Sequence, residues 1–502
     1  MHWNKGDPVP KRGEPGLRKG ERYLLKDFSG ALLPGEMMLV LGRPGSGCSA
    51  FLKTLAGQTA AYAGVEGAVH YGDVVPGSAE ARRMAAEIIY VGEEEDHDPN
   101  LLVGQTMDFA ARMNVPAKAA RPLDAAGEPV PAADFEEDNK QHLLRALRVQ
   151  QTHDTKVGNQ YVRGVSGGER KRITLLEAMT GPTQMMFWDN PTRGLDANTA
   201  VLFTKLCREA SDVANRINVM TLYQAGNGIY EQFDKVCVIA EGQVIYFGPR
   251  AQARAYFESM GFVHAEGANT ADYLTAVTAL NERQVAPGFE GKVPNTAAEF
   301  ATAYRASDTY RAMRGQVDAL LADQETRRTE TEAVERTVAA QKARHAFQAL
   351  PQRRSYLAQA RATVIKDWQQ RWGDQWSFWA RMVTTFVQAW IVGSVYYNVP
   401  DTTSGLYLRG GVLFVTIFYP VVLGLSELHA AFQDRGVLAK HKSYNLYRAS
   451  TVILAKAIVD APIYAVQNIV YVAICYWMAG LRANAGFFFT CFLFTWLVTM
   501  VF

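Results

Sequence analysis

Leu41 to Ser49, LGRPGSGCS, restricts this chain more than any other stretch, because it has the spacing of a phosphate-binding loop. Gly42, Gly47 and Ser49 fit G-x-x-x-x-G-K-[ST], with Arg43, Pro44, Gly45 and Ser46 between the glycines and Ala50 following, but Cys48 stands in the lysine position. In such a loop, backbone N–H groups at a helix start wrap the phosphates, the lysine reaches the β- and γ-phosphates and the hydroxyl holds Mg²⁺. Here the cradle is present and the charge is missing. A glycine-rich turn alone is equally an ordinary strand-to-helix connection. The flanks favour the loop: Met37 to Leu41 reads as a buried strand and Ala50 to Ala56 as the helix after it.

Two downstream motifs extend the pattern. VRGVSGGERKR, Val162 to Arg172, puts Val165, Ser166, Gly167, Gly168 and Glu169 at the start of a helical run, where free N–H groups and a hydroxyl suit an anion. MMFWDNPTRGLD, Met185 to Asp196, is an apolar strand ending in Asp189. That arrangement holds Mg²⁺ opposite the hydroxyl of Ser49. The next position ordinarily carries a carboxylate that orients or deprotonates the attacking water. Asn190 cannot accept that proton.

Around these motifs, strands are expected at Tyr23 to Ser29, Val65 to Val75, Ile88 to Val91 and Val219 to Leu222, with a hairpin of Val236 to Ala240 and Val244 to Phe247. Tyr23 or Phe28 is a candidate to stack on an adenine, and core packing is the plainer role for either. Thr106 to Leu147 reads as two helices around Pro116 to Ala133, and Ala251 to Met260 as another helix.

The chain has 502 residues and a formal charge of +2, which leaves no electrostatic footprint for nucleic acid. Its five cysteines follow no metal or disulfide spacing. Met1 to Gly20 is basic and rich in glycine and proline, without the apolar run of a signal peptide. From about Ser377 onward charge becomes sparse, so a soluble half precedes a membrane half.

Taken together, GRPGSGCS, VSGGERKR and WDNPTRGLD resemble the nucleotide-binding domain of an ABC transporter, of the fungal pleiotropic drug resistance type in the G subfamily. GEEEDHDP, YFGPRAQARAYFESMGF, TADYLT, PGFEGKVP and LAKHKSYNLYR extend the resemblance over nearly all of the chain after Gly20. The fold this implies is an α/β P-loop nucleotide domain followed by an incomplete all-α membrane domain. The expected divisions are a tail at 1–20, the nucleotide domain at 21–285, a charged linker at 286–355, an amphipathic connecting helix at 356–376 and a partial ABC-2 type membrane domain at 377–502. In the first half of such transporters, Cys commonly replaces the loop lysine, Glu the Q-loop glutamine, another residue the Walker B carboxylate and Tyr the switch histidine. Cys48, Glu93, Asn190 and Tyr223 match these replacements, whereas the signature Val165 to Glu169 and the D-loop Gly194, Leu195 and Asp196 are intact.

The resemblance implies ATP and Mg²⁺ as cofactors, the latter on Ser49 and Asp189. It also implies head-to-tail pairing with a second nucleotide domain, in the same longer chain or another subunit, whose ATP this chain's signature would complete. No competent catalytic residue is expected in this chain's own site. The implied activity is ATP-driven efflux of hydrophobic or amphipathic compounds; the alternatives are a nucleotide-binding regulatory subunit and a fragment that does not transport. Further spans and a second nucleotide domain are implied beyond Phe502, so this chain alone is expected to lack a complete translocation path.

Four spans are expected, at about Met382 to Val399, Gly410 to Leu425, Ala461 to Leu481 and Ala483 to Phe502. Tyr356, Ala360, Val364, Trp368 and Trp372 recur every fourth residue before them, as in a helix lying at a membrane surface. Arg435, Lys440, Lys442 and Arg448 mark the Ser426 to Ser450 loop as cytosolic, together with the nucleotide domain. That loop is expected to dock on the nucleotide domain. Glu427, Lys456 and Asp460 read as interfacial, and Thr385 and Gln388 as candidates for the transport path. A multi-pass protein of the plasma membrane is expected, in contact with lipids and a hydrophobic small-molecule substrate.

Overall fold

The computed structural model describes residues 22–75 and 77–501; the expected tail lies outside them. Its first half is built on a six-stranded sheet comprising β1 (Met37–Gly42), β2 (Ile88–Val91), β3 (Met185–Asp189), β4 (Ile217–Thr221), β5 (Lys235–Ala240) and β6 (Gln243–Pro249), in the spatial order β2-β3-β4-β1-β5-β6. All neighbours run parallel except the β5–β6 hairpin. Parallel strands covered on both faces need continuous apolar runs, which MMLVL and MMFW supply. Leu39 and Leu41 belong to the core on one face, Met38 and Val40 to the core on the other. The register aligns the functional ends: Val40 pairs with Thr221, and Thr221 with Asp189. Loops at the carboxyl ends of β1, β2, β3 and β4 therefore converge on one edge, where α/β sheets bind ligands.

Several expectations change. Tyr23 to Ser29 forms no strand but a single bridge, Lys26 to Gln243, because Asp27 turns to φ 56°. Phe28 is partly buried and packs against the core on Phe51, ring centroids 4.8 Å apart. Val65 to Val75 also forms no strand: Gly67 and Gly72 sit at positive φ and only Tyr71 and Val74 pair. The charged segment at 286–355 is more than a solvated linker. Its helix Ala297–Ala306 buries Phe300, Ala301 and Tyr304, with the Tyr304 hydroxyl donating to Phe247 O of β6 at 2.8 Å.

The surface helix spans Tyr356–Gly373, but its fourfold repeat is not one face. A step of four residues overshoots a 3.6-residue turn by about 40°, so five such positions wind part-way round the helix. Ala360 is buried, while Trp368 and Trp372 are exposed.

Span one becomes helix Gln375–Val395 and span two Thr403–Ser443. The latter corrects the expected Ser426 to Ser450 loop: the second span continues as helix to Ser443, leaving only a short turn before helix Ala449–Met478. Polar residues there are helix formers, and no proline or glycine breaks the run between Gly436 and Ser443. Among the described residues, two helical stretches are long and apolar enough to cross a membrane, Thr403–Gly424 and Ala449–Met478, with mean hydropathy 1.8 and 1.6. Ala485–Val501 is apolar but shorter. Lys456 and Asp460 fall within the third helix and pair with Asp434 and Arg371. Thr385 is buried and accepts from Gln467 Nε2 at 2.8 Å, so it ties two helices together.

Candidate functional site

At the end of β1 the chain needs glycine in two ways. A Cβ on Gly42 would lie 2.7 Å from Ile239 O and 2.8 Å from Cys48 Sγ, and Gly47 caps helix Cys48–Leu55 at φ 102°. With Gly45 also at positive φ, the backbone from Arg43 to Ala50 curls around the N-terminus of that helix. Such a turn with free helical N–H groups fits a phosphate chain. Burial, and then the charge of Asp189, push the Cys48 thiol up to about 12. It is a neutral filler in the lysine position and a poor thiolate. Among the described residues the five cysteines are all free thiols.

Asp189 is nearly buried at the end of β3 and is held by two hydroxyls the sequence did not single out. Tyr90 OH donates to its Oδ2 at 2.8 Å and Thr221 Oγ1 to its Oδ1 at 2.7 Å. Both donors sit at strand ends of the same sheet edge, so strand register was the signal that pointed to them. Asn190 adopts φ 49°, and its Oδ1 accepts from the Tyr223 N–H at 3.1 Å. Its carboxamide is committed to the switch position and offers no base. The Tyr223 side chain is half exposed. Glu93 forms an ion pair with Arg193, beside Gly194, while the buried Lys171 donates to the Glu93 carbonyl at 3.1 Å.

Ser166 and Gly167 are exposed at the start of helix Gly167–Met179. Ser166 and Glu169 form a reciprocal capping box, Ser166 N–H to Glu169 Oε2 at 2.9 Å and Glu169 N–H to Ser166 Oγ at 3.3 Å. Gly168 lies against Gly194, where a Cβ would come 3.2 Å from the carbonyl. Leu195 packs against the core, and Asp196 caps the next helix through the Thr199 N–H at 3.0 Å. The exposed helix start at Ser166 and Gly167 thus lies beside the exposed Gly194 turn.

A second cluster links the signature helix to the membrane helices. Glu177, on the signature helix, is buried and receives Lys440 Nζ at 2.7 Å and His441 Nε2 at 2.8 Å from the end of helix Thr403–Ser443. His97, four residues after Glu93, contacts Thr174 Oγ1 at 2.7 Å and Lys440 Nζ at 3.3 Å. Because Lys440 can only donate, His97 Nδ1 accepts and its Nε2–H points to Thr174. Burial, then Lys440, pull the His97 imidazole down to about 3, and burial also lowers His441. Burial opposes ionisation of Glu177, but Lys440 and His441 outweigh it and hold the carboxyl below its usual range. Beside it, Asp98 and Lys366 form a buried pair at 2.8 Å. Two acids, two lysines and two neutral histidines balance. An acid inside the apolar run ITLLEAM was the sequence signal for a buried charge in need of partners.

Residues 25–193 match the family model described as ABC transporter, and residues 358–502 the one described as ABC-2 type transporter. The chain belongs to the ABC transporter family. It is 41% identical to "ABC multidrug transporter G" of Aspergillus fumigatus over 97% of this chain and 36% of that protein. Identity to "ABC multidrug transporter H" of the same fungus is 39%, over 96% of this chain and 33% of the relative. Identity to "ABC-type transporter cns4" of Cordyceps militaris is 40%, over 98% and 35%. The pleiotropic drug resistance resemblance therefore holds, and the chain spans about a third of the length of the curated relatives it matches. This ABC transporter chain carries a nucleotide domain of mixed α/β sheet and a helical ABC-2 membrane region, and is a membrane protein.

Proposed function

We propose that this chain is the ATP-binding front half of an exporter of hydrophobic or amphipathic compounds, whose own ATP site binds without effective hydrolysis and whose signature completes a partner's hydrolytic site. The observation that carries this is the pairing of Cys48 with Asn190: a neutral buried thiol stands in the cation's place, and a carboxamide bonded to Tyr223 N–H stands in the base's. A general base contributes roughly 10²- to 10⁴-fold in rate where one operates.

The residues fit MgATP. The turn from Gly42 to Ala50 would cradle the phosphates, with Ser49 and Asp189 on Mg²⁺, which would supply the charge neutralisation that Cys48 cannot. Tyr90 and Thr221 fix the carboxylate, and Glu93 is engaged with Arg193. The exposed Ser166 to Gly168 helix start is shaped for the phosphate of a nucleotide held by another domain. Movement there would pass along the signature helix to Glu177, and through Lys440 and His441 into span two. The nucleotide domain would face the cytosol and the spans the plasma membrane. The names of relatives such as "ABC multidrug transporter G" support the substrate class.

The test is Cys48→Lys in the assembled transporter whose hydrolytic site has been disabled. Restoring the cation is expected to tighten ATP binding without robust turnover, because Asn190 still provides no base. Robust turnover would overturn the degenerate-site account.

A further inference from the structure

The surface helix ends tightly against the nucleotide domain. Lys156 Nζ donates to Gly373 O at 2.7 Å, and a Cβ on Gly373 would lie 2.4 Å from Asn100 O. Just before this junction the two elements separate and leave an open groove of about 420 Å³. Its lips are Asn100, Gln105 and Lys156 on one side, Trp368, Gln369 and Trp372 on the other.

Three observations define what this groove takes. The first is charge: among the described residues Lys156 has no carboxylate within ion-pair distance, and its bond to Gly373 goes to a neutral carbonyl. Its basic neighbours on the surface helix are matched, Lys366 by Asp98 and Arg371 by Asp460. The groove holds an uncompensated ammonium, with two N–H bonds left to donate. The second is the aromatic wall: Trp368 and Trp372 stack at 6.5 Å with planes 15° apart, 49% and 68% exposed. The third is continuity. Exposed Trp376, Phe378 and Trp379 carry the aromatic surface from the groove onto helix Gln375–Val395, so its open side leads to the first expected span. Tryptophan gathers at the headgroup level of bilayers because it is apolar at one end and polar at the other. Gln105 adds a donor, since its Oε1 is occupied by the Leu102 N–H at 3.0 Å and its amide NH₂ has no partner among the described residues.

We propose that this groove binds the headgroup of an anionic glycerophospholipid, with the phosphate on Lys156, polar headgroup atoms on Gln105 and Gln369, and the glycerol and upper acyl chain along Trp368 and Trp372. The lipid bridges the nucleotide domain to the surface helix at its C-terminal end. A soluble anion would satisfy Lys156 but not the indole wall, and an apolar peptide would leave the ammonium buried without a counter-charge. This inference rests on the reading that the surface helix lies at the membrane face.

The test reconstitutes the full chain in lipid nanodiscs of phosphatidylcholine mixed with phosphatidylserine, and measures co-purifying lipid by native mass spectrometry after detergent release. Wild type is expected to retain phosphatidylserine selectively. Lys156→Gln should reduce that retention about fivefold, the effect of one cation at a charged membrane surface, while Lys156→Arg keeps it. Because Lys156→Gln also removes the Gly373 contact, Gln369→Glu is the second variant: it leaves that contact alone and adds a carboxylate facing Lys156, and should lower retention similarly. Wild-type retention in both variants, or loss of phosphatidylserine to inorganic phosphate at matched concentration, overturns the proposal. A chain that inserts into nanodiscs but shows no lipid preference refutes the groove alone; a chain that does not insert refutes the membrane reading beneath it.

Discussion

Replacing Glu177 by Gln tests whether the buried cluster joins the signature helix to span two. Glutamine keeps the size of the side chain and an acceptor for His441 or Lys440, but it removes the only carboxylate that Lys440 pairs with among the described residues. Asp98, an acid of the same cluster, is already taken by Lys366 at 2.8 Å. Lys440 would then be a buried ammonium without a counter-charge, a change that costs about 3–5 kcal/mol when one partner of a buried pair is lost. At 1.4 kcal/mol per decade this shifts the docked-to-undocked ratio by roughly 10²- to 10⁴-fold. Adding Lys440→Met removes the orphaned charge, and the double variant should recover most of the loss, with a coupling energy of about 2 kcal/mol or more. The assay is thermal unfolding of the solubilised chain, paired with ATP hydrolysis and substrate export in the assembled transporter. Expected for Glu177→Gln is a lowered unfolding temperature and lost export, with hydrolysis falling only a few-fold because Ser166 and Gly167 remain in place. Unimpaired export, or a double variant no better than the single one, would refute the joint.

Two further outcomes follow from the same side chains. His97 and His441 are both held neutral when docked, with values below the free 6.5 and His97 at about 3, so undocking lets them take up protons. Docking stability is complete above pH 6.5 and declines as pH falls towards the lowered values, by roughly 1 kcal/mol per imidazole for each unit; export relative to hydrolysis should drop on acidifying the nucleotide side, and a coupling ratio flat from pH 7.5 to 5.5 would contradict this. Tyr90→Phe removes a donor to Asp189 while keeping the ring, and should raise the Mg²⁺ needed for nucleotide binding by about tenfold without changing metal-free binding, as read by titrating Mg²⁺ against a fluorescent ATP analogue.

The motifs are legible in the sequence because each depends on local order: Gly42 to Ser49 and Asp189 to Asp196 follow strands, and Ser166 to Gly168 opens a helix. Side chains that meet only through tertiary packing were less legible. Tyr90 and Thr221 look like ordinary strand residues until the register places their hydroxyls on Asp189. His97 and Lys440-His441 stood inside stretches noted for family likeness, 343 positions apart between His97 and Lys440, with nothing local to join them. Charge misled at two places. The Lys- and Arg-bearing segment after span two suggested a loop, yet helical propensity and the grip of Glu177 keep it helical to Ser443. The charged residues of 297–345 hid an apolar face, Phe300, Ala301 and Tyr304, that packs on β6.

The asymmetry between cradle and signature is tested most directly by ATP hydrolysis in the assembled transporter carrying either Gly167→Val or Cys48→Ala. Gly167 has open space where a Cβ would sit, so valine is tolerated by this chain and acts only on what approaches the helix start. The account predicts that Gly167→Val abolishes hydrolysis while Cys48→Ala leaves it within a few-fold of wild type. Hydrolysis that survives Gly167→Val, or that is lost with Cys48→Ala, would contradict it.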